Sequence, residues 1–265
     1  MLTRIEEFGW RGAAEPGIGR VVSAHGDYYH LVANDAPGEI LARKKKGAFL
    51  SAATRPITGD FVRFRYNASG ESMITEVLPR RSHFERMDPT ARRKAQTLAV
   101  NFDVLFLMMS LNENFSLPRL ARYLALAEDI GEARAVVVLT KIDLGNGFAP
   151  PDTGGVETLV ISSVTGEGVD DVRRYAAPRS TLAFIGSSGV GKSTLLNVLA
   201  GEEVAATQEI QQWSGKGRHT TTSRELVMLP SGAMVIDTPG IREIGIVGES
   251  VVERAKGEST HRWRK

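Results

Sequence analysis

The chain contains no cysteine in its 265 residues, which excludes a disulfide framework and any thiolate-based zinc site in the chain as given. It also lacks an apolar run of about 18 residues, the length a membrane-spanning helix needs. The opening MLTRIEEFGWRG carries charge within its first seven residues and does not have the apolar core of a secretory leader. A cytoplasmic protein is expected. An excess of charge of one sign is missing too: 33 Lys and Arg against 31 Asp and Glu leave a formal net charge of +2, so global electrostatics does not nominate a partner. No internal repeat and no low-complexity tract is seen, which excludes solenoid and linker-type chains.

What is present is an ordinary globular composition, 42% hydrophobic and 24% charged, with enough length for two unequal domains. Residues 18 to 80 read as short β segments, IGRVVSAHG, YYHLVA, GEILAR, GDFVRFRY and SMITEVLPR, separated by Gly, Pro, Asn and Asp. Five strands in so short a stretch predict a small all-β barrel of the OB type. Beyond residue 97 the texture changes. The run TLAVNFDVLFLMMSL, the helical spacing of Leu120, Tyr123, Leu124 and Ala127, and the β-branched run RAVVVLT predict βα units around a buried parallel sheet. The expected organisation is an N-terminal tail (1–17), the barrel (18–82), a linker (83–97), an α/β domain (98–247) and a C-terminal tail (248–265).

Within the α/β part, GSSGVGKS matches G-x-x-x-x-G-K-[ST] over Gly186, Ser187, Ser188, Gly189, Val190, Gly191, Lys192 and Ser193, followed by Thr194. It sits between an apolar strand and a helix, the context a phosphate-binding loop requires. Glycines let backbone N–H groups turn inward at a β-phosphate, Lys192 bridges β- and γ-phosphates, and the Ser193 hydroxyl is placed for Mg²⁺. Downstream, MVIDTPG ends a strand in Asp237, a candidate for holding Mg²⁺ through water, and Gly240, whose N–H can sense a γ-phosphate. Between them, GRHTTT offers Thr221 or Thr222 as a hydroxyl that reaches the metal only while a γ-phosphate is bound.

Upstream lie two elements suited to reading a base. VVVLTKIDL presents Thr140, Lys141 and Asp143; the Asp143 carboxylate can accept from the N1–H and N2 amino groups of guanine while the Lys141 stem covers the ring. Adenine has no such pair of donors. Asparagine is commoner where Thr140 stands. LVISSVTGEG then places Ser162, Ser163 and Val164 at a strand end, where a backbone N–H can meet guanine O6. The order is base, base, phosphate loop, switch, switch, whereas ordinary GTPases begin with the phosphate loop. A circular permutation is implied, and it is tolerable because strand ends of one sheet assemble the site whatever their chain order.

In this order of motifs, together with GRVVSAHGDYYHLV and TGDFVRF in the barrel, the chain resembles the RsgA (YjeQ) family of small-subunit ribosome biogenesis GTPases over roughly residues 18 to 247. The resemblance implies a circularly permuted P-loop GTPase domain behind an OB-fold. It also implies a monomer without a membrane partner that binds GTP or GDP with Mg²⁺ and docks on the 30S subunit and 16S rRNA. Activity would be slow alone and stimulated by the subunit. The basic residues Arg43, Lys44, Lys45, Lys46, Arg80 and Arg81 are the expected RNA contacts. Ile241 stands where many GTPases carry a water-orienting glutamine; His219, with Lys192, is the catalytic candidate that the resemblance also favours. Family members continue into a helical domain holding zinc by three cysteines and a histidine. With no cysteine and 25 residues after Gly240, zinc is not expected here. A second reading stays open: a GTP-sensing RNA-binding module or shortened relative with negligible hydrolysis.

Overall fold

The computed structural model describes residues 2–44, 55–87, 95–145, 150–201 and 225–237. A one-turn helix α1 (Arg4–Glu7) precedes β1 (Ile18–His25), β2 (Tyr28–Ala33), β3 (Ile40–Lys44), β4 (Phe61–Arg65) and β5 (Ser72–Val77). β1 pairs antiparallel with β2 and, through Ile18–Arg20, with β4; β3 runs parallel to β5, and β5 antiparallel to β4. The order β1-β2-β3-β5-β4 therefore closes on β1, giving the five-stranded barrel that the turn spacing predicts. Closure covers the edge of β1 over Ile18–Arg20. Alternate residues point inward: Val21, Tyr29, Leu31, Ile40, Val62, Phe64 and Ile74 form its core.

The α/β part comprises β8 (Val104–Ser110), α2 (Leu117–Leu126), β9 (Arg134–Thr140), β10 (Thr158–Ile161), α3 (Val169–Arg173), β11 (Thr181–Ile185), α4 (Lys192–Ala200), β12 (Glu225–Met228) and β13 (Met234–Asp237). The strands order as β10-β9-β8-β11-β13, all parallel, and β12 runs antiparallel beside β13. β8 is buried at every position, as a parallel strand covered on both faces must be. Its even-numbered residues Val104, Phe106 and Met108 face α3 and α4 through Val172, Leu195 and Leu196. Its odd-numbered residues Leu105, Leu107 and Met109 face Leu120 and Tyr123 of α2. Each buried Leu, Ile or Phe on these faces is worth about 1.5–3 kcal/mol relative to exposure.

Two segments differ from their sequence description. Residues 83–97, read as a linker, supply β6 (His83–Met87) and the start of β7 (Ala95–Val100), an antiparallel pair. Phe84, Leu98 and Ala99 of this pair share the apolar layer with α2, so it is a wall of the α/β part. The apolar run 97–111 is two strands, broken where Asn101 takes a left-handed φ of 52°. Asn101 is fully buried, receiving the Arg81 N–H on Oδ1 and donating from Nδ2 to the Gly59 carbonyl. The 1–17 segment, read as a tail, is likewise packed: Ile5 is fully buried beside Ile18 and Phe61, and Trp10 lies 5.0 Å from the Phe61 ring.

The barrel and the α/β part share one sheet. β12 bonds β13 on one side and meets β1 on the other, with Ser23 opposite Glu225. Beside that seam Arg20, completely buried, donates from Nη1 to the Phe8 carbonyl (2.6 Å) and from Nη2 to the Asn101 carbonyl (3.2 Å), with Phe61 4.9 Å from its guanidinium. Its Nε has no hydrogen-bond partner among the described residues. Burial pushes the Arg20 guanidinium down to about 9, still protonated at neutral pH.

Candidate functional site: the carboxyl edge of the parallel sheet

Registers locate the sequence motifs on one edge. Ser110 lies opposite Thr140, Thr140 opposite Ile161, Leu107 opposite Ile185, and Ala183 opposite Ile236. Because these strands are parallel, the segments that follow them all emerge on the same side. Between β8 and β11 the winding reverses: β9 and β10 extend one way and β13 the other. A crevice at such a switch point, outside the carboxyl ends of the strands, is where open α/β sheets bind ligands.

The phosphate loop occupies that point. Gly189 and Gly191 take left-handed φ values of 73° and 103°, and Gly191 caps α4. Gly186 is required for space: a Cβ there would stand 2.8 Å from Val190 Cγ1 and 2.9 Å from the Met108 carbonyl oxygen. Val190 itself is buried in the core with Leu195 and Phe184, so only its backbone serves the loop. Lys192, 7% exposed, donates from Nζ to the Gly186 and Ser187 carbonyls at 2.8 Å each. The ammonium is thus held within the curl of the loop. Ser193 and Thr194 are exposed on the first turn of α4, where helix N–H groups lack intrahelical acceptors.

The base-reading segments pack against this loop. Thr140, 2% exposed, donates from Oγ1 to the Val190 carbonyl at 2.6 Å, with the Met109 carbonyl 3.4 Å away. Lys141 follows in left-handed conformation, φ 63°, and starts a 3-10 turn Ile142–Leu144 on which Asp143 is exposed. After β10, the fully buried Ser162 accepts on Oγ from the N–H groups of Val164 (3.2 Å) and Thr165 (3.1 Å). Its side chain shapes the turn, leaving Ser163 half-buried and Val164 81% exposed. Gly168 is held against β10, with no room for a Cβ beside the Val160 carbonyl.

The sequence reading passed over Ser110 and Asn112, which lie at the same edge and are joined by a 2.9 Å hydrogen bond. A polar residue closing the buried run of β8, Ser110, with Asn112 two positions on, is the available signal. Asp237 ends β13, beside the phosphate-loop strand. His219, Thr221, Thr222, Gly240 and Ile241 lie outside the described residues, as do Lys45 and Lys46.

The remaining basic residues do not form one patch. Arg43, on β3, stacks 4.2 Å over Tyr28 and pairs with Glu71 at 2.8 Å. Lys44 is half-buried at the end of the same strand. Arg80, expected as an RNA contact, has a partner within the fold: Nε and Nη2 each meet the Asp60 carboxylate at 2.8 Å, and Asp60 is fully buried. Burial pushes the Asp60 carboxyl up, against the pull of Arg80. Arg81 lies 3.4 Å from Asp103. At Arg80 and Arg81 the charge run is engaged in ion pairs with Asp60 and Asp103.

A five-stranded barrel joined to a parallel sheet, with a phosphate loop at the switch point and the base-reading segments preceding it in the chain, defines a circularly permuted P-loop GTPase fold. The model of the RsgA GTPase family matches residues 77–247. The chain belongs to that family. Among its relatives are the small ribosomal subunit biogenesis GTPases RsgA 2 of Lactiplantibacillus plantarum, 41% identical over 86% of this chain and 66% of its own length, and RsgA of Methanosarcina acetivorans, 37% identical over 91% and 66%. The chain spans about two thirds of the length of these relatives. Two solved structures share the fold. They are YjeQ from Thermotoga maritima (25% identity, TM-score 0.60, 86% of this chain and 76% of that one) and YloQ, a circularly permuted GTPase (21%, 0.55, 89% and 76%).

Proposed function

We propose that the protein binds GTP at the carboxyl edge of its parallel sheet, hydrolyses it slowly alone and faster on the small ribosomal subunit, and acts in late maturation of that subunit. The observation that carries this is the convergence of the phosphate loop, the T-K-x-D segment and the S-S-V turn on one switch point, tied by the Thr140 to Val190 bond. The relatives' names supply the subunit. A cytoplasmic monomer working on 30S subunits and 16S rRNA follows from the same reading.

The roles divide by chemistry. Backbone N–H groups of the phosphate loop, apart from that of Val190, which meets the Ser187 carbonyl, and those at the start of α4 would face the phosphates; Lys192, already aimed into the loop, neutralises charge on the β- and γ-phosphoryl oxygens. Asp143 accepts from the guanine N1–H and amino group. The donors here suit Mg²⁺, a hard cation that takes one or two protein oxygens and completes its shell with phosphate and water. The exposed Ser193 hydroxyl and Asp237 would hold it, with Thr221 or Thr222 joining. Bound Mg²⁺ offsets charge on the transferred phosphoryl group. His219 positions the attacking water, since Ile241 cannot. Arg43 and Lys44, with Lys45 and Lys46, meet RNA from the barrel.

Turnover of GTP, with ATP as control, by the purified chain with and without small ribosomal subunits tests the reading. Subunit-stimulated hydrolysis that His219→Ala abolishes is the expected result. Guanine binding without turnover under either condition would instead establish the alternative, a nucleotide-sensing RNA-binding module.

A further inference from the structure

We infer that Thr140, at the head of the T-K-x-D segment, donates no hydrogen bond to guanine N7, because its only proton is already spent inside the protein. The inference rests on the guanine-nucleotide reading above and narrows it.

The geometry around Thr140 leaves little choice. Its hydroxyl lies between two carbonyl oxygens, Val190 at 2.6 Å and Met109 at 3.4 Å, and the residue is buried. Carbonyl oxygens only accept, and a hydroxyl carries one proton; that proton must go to one of them, and the shorter contact takes it. Toward any third group the Thr140 oxygen is an acceptor. Guanine N7 and O6 are acceptors as well, so no hydrogen bond forms between them and Thr140.

An asparagine at this position would behave differently. Its amide has two N–H donors, so it could satisfy the Val190 carbonyl and still offer a donor to the base. Thr140 retains the first duty, tying the strand end that carries Asp143 to the phosphate loop, and gives up the second. Discrimination between guanine and adenine is therefore left to the Watson–Crick edge, through Asp143, and to the backbone N–H of Ser163, since those of Ser162 and Val164 already meet the Glu167 carbonyl and Ser162 Oγ. Thr140 is a positioning residue with a consequence for specificity: the pocket accepts purines altered at position 7.

The test is equilibrium binding of GDP, 7-deaza-GDP and ADP to the full chain by calorimetry. 7-Deaza-GDP keeps the Watson–Crick edge and replaces N7 by C–H. The expected result is that GDP and 7-deaza-GDP bind within about twofold and ADP far more weakly. A loss of threefold or more for 7-deaza-GDP, the scale of one net hydrogen bond, overturns the inference alone, since guanine binding would stand. Failure of both guanine nucleotides to bind, or ADP binding as well as GDP, overturns the guanine reading and this inference together.

Two variants sharpen the comparison. Thr140→Val leaves the Val190 carbonyl without this donor and should weaken GDP and 7-deaza-GDP by the same factor; weakening of GDP alone would show that the hydroxyl had been on N7. Thr140→Asn should open a gap of threefold or more in favour of GDP, and equal binding by a folded Thr140→Asn protein would remove residue 140 as the determinant.

Discussion

Arg80 and Asp60 meet through two parallel 2.8 Å hydrogen bonds, with the carboxylate fully buried. Removing one partner of such a pair strands the other charge in a low-dielectric site, at a cost of about 3–5 kcal/mol. Arg80→Ala should therefore lower the urea midpoint strongly, and Arg80→Lys, which keeps the charge but loses the fork, should lower it less. Affinity of the folded fraction for small-subunit RNA should be unchanged in Arg80→Lys. A large RNA-binding defect with full stability would return Arg80 to the RNA surface.

Arg20 has a similar load without an anionic partner in contact among the described residues. Its guanidinium satisfies the carbonyls of Phe8 and Asn101, which belong to the N-terminal segment and to the β7–β8 break. Arg20→Ala would leave the buried Asn101 carbonyl and the half-buried Phe8 carbonyl without this donor, a loss of about 1–3 kcal/mol for a buried group left unsatisfied. Thermal or urea unfolding measures it. A neutral result would mean that water or a shifted backbone replaces the side chain.

At the phosphate loop the two most informative changes act differently. Lys192→Ala removes a charged donor and should weaken GTP binding on the order of 100-fold, the scale of hydrogen bonds to a charged group. Gly186→Ala keeps every donor but drives a methyl into Val190 and the Met108 carbonyl; overpacking of this kind costs about 1–3 kcal/mol. It should reduce both stability and nucleotide affinity, whereas Lys192→Ala should reduce affinity with a smaller effect on stability. Calorimetry and urea unfolding of both variants separate the two effects.

The N-terminal helix carries a pH signature. The Thr3 N–H and hydroxyl both donate to the Glu6 carboxylate, at 2.7 and 2.9 Å, and the backbone bond first, then the hydroxyl, holds the Glu6 carboxyl below its ordinary 4.5. A lowered folded value means the contact stabilises α1 fully above pH 4.5 and is lost as pH falls through the folded value. The Thr3 amide resonance should titrate with a midpoint below 4.5. A midpoint at or above that value would show that the bonds are not maintained in solution.

Much of this architecture is legible in the residues, and the failures have physical causes. β2 at Tyr28–Ala33 and β9 at Arg134–Thr140 coincide with the apolar runs that announced them, because a strand inside a barrel or parallel sheet is selected for burial along its own length. The β6–β7 pair was hidden by its charges: SHFERMDPTARRKAQ reads as solvated, yet Phe84 and Leu98 turn one face to the core. The break at Asn101 depends on partners at Gly59 and Arg81, and no local propensity encodes them. Arg80 belongs to the same class, since a charge opposite a buried carboxylate looks in sequence like any other. At the site, Gly186, Gly191 and Lys192 are legible because phosphate geometry permits few alternatives. The double use of Thr140 is not, because its acceptor lies 50 residues away.

The seam between β12 and β1, where Ser23 stands opposite Glu225, changes what a fragment of this protein would be. A cut drawn at the end of the barrel, where composition shifts, would not fall on a natural division of the hydrogen bonding. It would bare the outer edge of β12 on one piece and the flank of β1 on the other, two strand edges inviting intermolecular pairing. Dissection of the protein at that point should accordingly yield pieces that self-associate, and the roles of the barrel and of the α/β part are best separated by point substitutions in the intact chain.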